Sequence, residues 1–236
     1  WKNAKRPLLV NNWEGTYFNF DQDKIYNIAL VAHEVGLEML VLDDGWFGAR
    51  NNDKAGLGDW VVNEEKLVGG LDAVIEHVHS LGMKFGLWFE PEIVSFDSDL
   101  YRAHPEWVLR DEKREPLRSR HQLVLDMANP EVVEYLKQSL DKCFADIQID
   151  YFKWDMNRHM AHVGSMHLPS DQQGEIFFRY MKGVYRLFKW FGEHFPEAII
   201  ETCAGGGGRY DLGMMKYGFQ IWTSDNTWPY ARVWMQ

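Results

Sequence analysis

The sequence predicts an α/β fold, and more specifically a (β/α)8 barrel of the TIM type that is truncated after about seven strands. Three observations lead to this prediction. A short apolar run, usually followed by a helical segment, recurs seven times along the chain. The runs are apolar on both faces, as buried parallel strands are. Polar residues gather at the carboxyl end of nearly every run, and in a barrel those ends meet on one face. A doubly wound open sheet is the alternative. The barrel is favoured because it brings the polar residues of nearly all strand ends to one site.

The predicted strands are short runs rich in aliphatic and aromatic residues. They cover Pro7–Glu14, Glu38–Phe47, Lys84–Glu92, Gln122–Ala128, Asp150–Asn157, Ala198–Ala204 and Phe219–Asn226. An eighth strand is not visible, so we predict one barrel domain over residues 1–236 that is incomplete at its carboxyl terminus. Strand one, around Val10, and strand seven, around Ile221, should each then present an unpaired edge.

Helix signals lie between the strands. A stripe of apolar residues at helical spacing follows Asp21 and stops at Gly36, and a second stripe stops at Gly82. Asn129 followed by a proline predicts the start of a third helix. The pattern Ser170–Gln173 has the form of a capping box and predicts the start of a long fourth helix.

Composition and charge exclude several classes of function. The net charge of -10 argues against a nucleic-acid partner and against anionic membranes, and no apolar run is long enough to span a bilayer. The eleven Trp residues suit the apolar faces of sugar rings, although core packing explains about half of them. Cys143 and Cys203 form neither a disulfide framework nor a zinc motif, which favours a reducing, cytoplasmic location.

Carboxylates are concentrated at the predicted strand ends. They are Glu14, Asp43, Asp44, Glu90, Glu92, Asp126, Asp155, Glu201 and Asp225. A glycosidase needs two carboxyl groups beside the bond that it breaks, but composition and spacing do not identify the pair. So much negative charge on one rim also requires cations or a ligand, and the available partners are Arg120, Lys153, Arg158 and Arg209.

Two local patterns at these strand ends are more specific. Asp43 and Asp44 are adjacent, and both can face a ligand only if the backbone turns at Gly45. Lys153 and Asp155 are two residues apart, so they point to the same side of a strand. A neighbouring ammonium lowers the pKa of a carboxyl group and keeps it ionised, as a nucleophile requires.

A run of four glycines follows the sixth predicted strand, between Ala204 and Arg209. Glycines let the backbone approach a ligand closely. A phosphate cradle is the competing interpretation, although the lysine of a P-loop is missing. His159 and His162 are spaced closely enough to bind a metal, but we interpret them as loop residues and expect neither a metal nor an organic cofactor.

The segments LDDGWFG, GLWFEPE, LVLDMANP, KWDMNR, ETCAGGGGR and WTSDNT together resemble glycoside hydrolase family 36, the melibiase-type α-galactosidases. They occur in the order of that family and cover nearly the whole chain. The resemblance implies a retaining α-galactosidase that acts on oligosaccharides such as melibiose and raffinose through a covalent galactosyl-enzyme. It implies that Asp155 is the nucleophile and that Asp225 is the general acid/base.

The resemblance also implies a set of substrate-binding residues. Asp43, Asp44 and Lys153 match groups that bind ring hydroxyls, whereas Cys203, Gly205 and Gly206 match the wall near the 2-hydroxyl. Trp13, Trp88 and Trp222 match the aromatic walls of the family's site. Arg120 matches an arginine that reaches that site.

The sequence departs from the family in its extent. The β domains that flank the family's barrel are absent, so we expect residues 1–236 alone to be weakly active or inactive. The family implies a homo-oligomer for the full-length parent. The alternatives are an α-galactosyl transferase of the raffinose or stachyose synthase type, an α-N-acetylgalactosaminidase and a non-catalytic galactoside-binding fragment.

Overall fold

A computed structural model describes residues 5–117, 119–144, 146–161 and 163–235. Its centre is a curled sheet of six parallel strands, a half-barrel, in the order β1-β2-β3-β6-β7-β8. These strands are β1 (Leu9–Asn11), β2 (Met39–Leu42), β3 (Lys84–Phe89), β6 (Tyr151–Trp154), β7 (Ile199–Thr202) and β8 (Gln220–Ile221). In the described part of the chain, β1 and β8 are the outer strands, as expected for an open sheet.

The prediction that Gln122–Ala128, the fourth of the seven runs, forms a strand of the parallel sheet is wrong. Within Gln122–Ala128, the run forms β5 (Gln122–Val124), which pairs antiparallel with β4 (Ile93–Ser95) in a separate two-stranded sheet. The reason lies in the pairing of the main sheet, where β6 lies directly beside β3 with Gly86 opposite Tyr151. No edge between β3 and β6 is therefore left for β5.

The helices follow the strands along the chain. They are α1 (Trp13–Thr16), α2 (Gln22–Glu34), α3 (Gly70–Ser80), α4 (Asp99–Ala103), α5 (Pro130–Phe144), α6 (Ile176–His194), α7 (Leu212–Met215) and α8 (Pro229–Met235), with short 3-10 helices at Pro105–Trp107 and Ser170–Glu175. Four predicted boundaries are confirmed. Asp21 caps α2 by accepting from Lys24 N, Gly36 and Gly82 have positive φ just past α2 and α3, and Asn129 precedes α5.

The predicted capping box at Ser170 is wrong. Ser170 begins a 3-10 helix without a side-chain cap, and α6 starts six residues later at Ile176. The Gln173 side chain instead donates to the carbonyls of Ser165 and Leu168, so it stabilises the preceding loop.

The core lies between the sheet and the long helices α2, α3, α5 and α6. β2 and β7 are buried along their whole length, as expected of strands that are apolar on both faces, whereas the outer strands β1 and β8 are only partly buried. The aromatic rings at the centre of the core are those of Phe89, Phe144, Phe152, Trp154 and Phe191. This packing fixes the strands, and the carboxyl ends of the parallel strands then meet at one edge.

Candidate active site

A cavity of about 640 Å³ opens at the carboxyl ends of the parallel strands. Its wall contains carboxyl groups from Glu14, Asp43, Asp44, Glu90, Asp155, Glu201 and Asp225. The cations in the wall are Arg50, Arg120, Lys153 and Arg232. The structure therefore brings most of the predicted acids to one site, together with two arginines that the sequence did not indicate.

Asp155 is buried directly after β6, and its carboxylate accepts several hydrogen bonds. Trp88 Nε1 donates to Oδ2 at 3.0 Å, Asn157 Nδ2 to Oδ2 at 2.6 Å and Met156 N to Oδ1 at 2.8 Å. Burial alone raises the pKa of Asp155, but the Lys153 charge and hydrogen bonds from Cys203, Trp88 and Asn157 bring that pKa below its ordinary value. Asp155 is thus held as a buried anion.

Lys153 and Asp43 form an ion pair of 3.0 Å between Nζ and Oδ2. Asp43 Oδ2 also accepts from Asn11 Nδ2 at 2.5 Å, and its Oδ1 accepts from Asp44 N at 2.9 Å. Burial lowers the pKa of Lys153, but the charges of Asp43 and Asp155 outweigh it, so the pKa is raised. A stable ammonium group therefore lies between two carboxylates.

Asp44 pairs with Arg50, a residue that the sequence analysis missed. Arg50 Nε and Nη2 donate to Oδ1 and Oδ2 of Asp44 at 2.9 and 2.8 Å, and Nη1 donates to Ala55 O at 3.1 Å. Both side chains are almost fully buried. Burial raises the pKa of Asp44, and the Arg50 charge opposes that rise. Gly45 has a φ of 109°, so the backbone turns after the two acids, as expected.

Asp225 lies in the loop after β8 and is exposed. Trp222 Nε1 donates to its Oδ1 at 2.9 Å. Arg232 lies over the Trp222 ring, 4.3 Å from the centroid, and donates to Ser224 O at 3.2 Å. The two acids implied by the resemblance thus differ in environment, since Asp155 is buried and Asp225 faces solvent.

The predicted aromatic and arginine residues line the same cavity. Trp13 begins α1, Trp88 lies on β3, and the Trp222 ring is 5.7 Å from Lys153 Nζ. Arg120 has a φ of 52° and donates to Asn157 O at 3.4 Å. A non-glycine residue with positive φ is strained, which is a common feature of functional sites.

Cys203, Gly205 and Gly206 are not part of the cavity wall among the described residues. The Cys203 thiol instead donates a hydrogen bond to the Asp155 carboxylate. Gly205 and Gly206 have φ values of 55° and 85°, which explains why glycine occupies both positions. These three residues therefore lie outside the cavity wall, and Cys203 contacts the site through Asp155.

Two of the strand-end acids serve elsewhere. Glu92 is buried and accepts from Arg209 Nη1, Trp154 Nε1 and Tyr180 OH. Asp126 accepts from Ser165 Oγ and from a backbone N–H.

Arg158, expected as a partner for the acids, donates to the backbone carbonyls of Leu117, Gln122 and His159. His159 is exposed, and His162 lies outside the described residues. In the ranges that the structure covers, no group of three or more His, Cys, Asp or Glu side chains is arranged to hold a metal ion. Within the same ranges, no helix has both the length and the apolar character needed to cross a membrane.

The fold and the cavity define a class: an α/β protein with a curled parallel sheet, a half-barrel, and a cavity at the carboxyl ends of its strands. Comparison with known proteins narrows this class. The Melibiase family model matches residues 1–236, and the chain belongs to that family.

Among its relatives, Alpha-galactosidase AgaA of Geobacillus stearothermophilus is 49% identical over 236 residues, covering 100% of this chain and 32% of AgaA. Alpha-galactosidase Mel36A of Lactobacillus acidophilus is 46% identical over the same length, again 32% of that protein. The chain thus spans about a third of the length of these relatives.

The crystal structure of GH36 alpha-galactosidase AgaA from Geobacillus stearothermophilus superimposes with a TM-score of 0.96, at 49% identity, over 98% of this chain and 32% of that one. An AgaA variant in complex with raffinose gives a TM-score of 0.95 at 49% identity and the same coverage. Another, in complex with stachyose, gives 0.95 at 48% identity.

Proposed function

We propose that the protein containing this chain is a retaining α-galactosidase that removes terminal α-linked galactose from oligosaccharides such as melibiose and raffinose. The relatives named above are alpha-galactosidases, and variants of one of them bind raffinose and stachyose. In this proposal the six-stranded sheet is part of a (β/α)8 barrel in the full-length protein, which is a cytoplasmic homo-oligomer.

One observation carries the proposal at this site. Asp155 is a buried carboxylate that is kept ionised by Lys153 and by hydrogen bonds from Trp88, Asn157 and Cys203. A nucleophile of this kind needs to be unprotonated and fixed in direction, and three neighbouring donors supply the direction. Asp225 is exposed, so a water molecule can reach its carboxylate for the second half-reaction.

The mechanism is a double displacement. Asp155 attacks the anomeric carbon while Asp225 donates a proton to the leaving oxygen, which gives a covalent β-galactosyl ester. Asp225 then accepts a proton from water, and that water cleaves the ester with overall retention. Asp43, Asp44 and Lys153 bind ring hydroxyls, and Trp13, Trp88 and Trp222 pack against the apolar faces of the sugar.

The test uses the full-length protein and p-nitrophenyl α-galactoside. Asp155→Asn should remove nearly all turnover, and azide should restore activity to Asp155→Gly with β-galactosyl azide as the product. Nuclear magnetic resonance of the first-formed sugar from the unmodified enzyme should show α-galactose. Near-normal activity of Asp155→Asn, or β-galactose as the first product, would refute the proposal.

A further inference from the structure

We infer that Gly206 is a positioning residue for Asp225. The glycine turn, defined here as Ala204–Gly208, presses its backbone against the backbone of the segment Thr223–Asp225 and so fixes where the acid/base carboxyl lies. This inference rests on the proposed role of Asp225, and it assigns to the glycines a function other than contact with the sugar.

The contact between the two segments leaves no room for a side chain. A Cβ atom added to Gly206 would lie 2.8 Å from Ser224 Cα and 3.2 Å from Asp225 N. One added to Gly207 would lie 2.9 Å from Thr223 O. Separations below 3.0 Å from backbone atoms require the backbone itself to move, because no rotamer change can relieve them. The turn therefore sets the position of residues 223–225 by direct backbone packing.

The turn is itself anchored. Ala204 N donates to Gly206 O at 2.8 Å, and Tyr210 N donates to Gly207 O at 3.2 Å. At its end, Arg209 Nη1 contacts the two carboxylate oxygens of Glu92 at 2.7 and 2.9 Å. Glu92 is fully buried, so this ion pair fastens the turn to the segment that follows β3.

The other end of the turn reaches the nucleophile. Cys203 N donates to Trp154 O at 2.8 Å, and the Cys203 thiol donates to the Asp155 carboxylate. One short stretch, residues 203–209, thus contacts the nucleophile at its start and the acid/base segment at its middle. We expect it to set the separation of the two catalytic carboxyl groups, which in retaining glycosidases is about 5–5.5 Å.

The experiment compares Gly206→Ala with Gly205→Ala in the full-length enzyme. Both glycines have positive φ, but among the described residues the nearest atom to a Cβ at Gly205 would be Asn157 Oδ1, at 4.0 Å. The measured quantity is the ratio of kcat/KM for melibiose to kcat/KM for p-nitrophenyl α-galactoside. The leaving group of melibiose is glucose, whose oxygen needs protonation, whereas p-nitrophenolate leaves with little help from an acid. A misplaced acid therefore lowers the ratio.

We expect Gly206→Ala to lower this ratio by about 10- to 100-fold, since a displacement of roughly 1 Å can cost that much in rate. Gly205→Ala should lower both rate constants in parallel and keep the ratio within about 2-fold, because it adds left-handed strain without a contact with residues 223–225. Equal ratios for Gly206→Ala and the unmodified enzyme would overturn the inference.

A second variant covers the case in which Gly206→Ala does not fold. Gly207 does not have positive φ, so Gly207→Ala adds the contact with Thr223 O without left-handed strain, and it should lower the ratio in the same direction. An unchanged ratio for Gly207→Ala would count against the inference. Asp225→Asn separates the acid/base role of Asp225 from the positioning role of Gly206. If Asp225→Asn lowers the ratio and the glycine variants do not, only the positioning role fails. If Asp225→Asn keeps the ratio, the acid/base assignment fails and this inference with it.

Discussion

Lys153 on β6 and Asp43 after β2 are joined by an ion pair of 3.0 Å, although β3 lies between their strands in the sheet. The contact therefore crosses the concave face of the half-barrel. The ion pair holds the Lys153 ammonium beside Asp155. The positive charge of Lys153 favours the ionised form of Asp155. In the proposed mechanism, the same cation binds the sugar and activates the nucleophile.

Replacing Lys153 with Met should move the acid limb of the pH–activity profile to higher pH. Burial raises the pKa of Asp155 and Lys153 is the largest influence that lowers it, so the pKa rises when the ammonium is lost. Activity needs the ionised carboxylate and disappears as pH falls through this pKa, so the limb shifts upward. The loss of a charged hydrogen bond worth about 1.5–3 kcal/mol should also lower kcat/KM by roughly 10- to 150-fold.

The measurement is kcat/KM against pH for the full-length enzyme with p-nitrophenyl α-galactoside. Lys153→Arg is the matched control, because it keeps the positive charge and should keep the acid limb closer to that of the unmodified enzyme. An acid limb that is identical for Lys153→Met and the unmodified enzyme would show that Lys153 does not tune Asp155.

The acids of the site could be predicted because strand ends are visible in the sequence. Asp43 and Asp155 each follow a run that must be buried, and parallel strands bring such positions together. Arg50 could not be found in this way. It lies in an irregular loop, and its place beside Asp44 depends on tertiary packing that no periodicity records. Asn157 was missed for a similar reason, since it follows the strand by three residues.

The partner of the run Gln122–Ala128, and the direction of its pairing, could not be predicted from the sequence. The run Gln122–Ala128 is apolar and buried, as predicted, but apolar character does not specify a partner. The antiparallel partner, Ile93–Ser95, is only three residues long and lies directly after a longer strand. Such a short segment has no periodicity of its own to indicate it.

Replacing Arg50 with Met should destabilise the fold. The substitution leaves Asp44 buried without its partner, and removal of one member of a buried ion pair typically costs about 3–5 kcal/mol. The pKa of Asp44, already raised by burial, then rises further because the opposing Arg50 charge is lost. Since protonation neutralises the buried acid, the destabilisation should shrink as pH falls through that raised pKa.

Thermal unfolding of the full-length protein at several pH values checks this prediction. The double variant Arg50→Met with Asp44→Asn removes both charges, and it should recover much of the lost stability. A double variant as unstable as Arg50→Met alone would mean that packing, and not the unpaired carboxylate, causes the loss.

Chelation of divalent metals should leave activity unchanged. The proposed chemistry needs only two carboxyl groups, and Lys153 supplies the positive charge beside the nucleophile. The check is kcat/KM after dialysis against EDTA, with and without added Mg²⁺, Ca²⁺ or Zn²⁺. Activity that is lost on chelation and restored by one of these ions would contradict the prediction and direct attention to His159.

Glu90 should make the protein less stable as pH rises toward about 8. Its carboxyl is buried at the end of β3 and accepts a hydrogen bond from the backbone N–H of Asn157. Burial, with the Asp155 charge adding to it, raises the pKa of Glu90 from 4.5 to about 8. Between these two values the folded protein retains a proton that the unfolded chain releases. The free energy of unfolding therefore falls with pH across this window, and the stabilisation is fully lost above the folded pKa.

Glu90→Gln imitates the protonated carboxyl and should abolish this dependence. The variant should melt near the temperature of the unmodified protein at about pH 5 and above it at about pH 9. At about pH 9 the difference in their free energies of unfolding can reach about 4 kcal/mol, at about 1.36 kcal/mol per pKa unit. Calorimetry of the full-length protein at both pH values gives the measurement. Glu65→Gln, at an exposed glutamate, controls for the loss of one carboxylate. A Glu90→Gln variant whose melting temperature differs from that of the unmodified protein by the same amount at both pH values would show that Glu90 is already ionised in the folded protein at about pH 5.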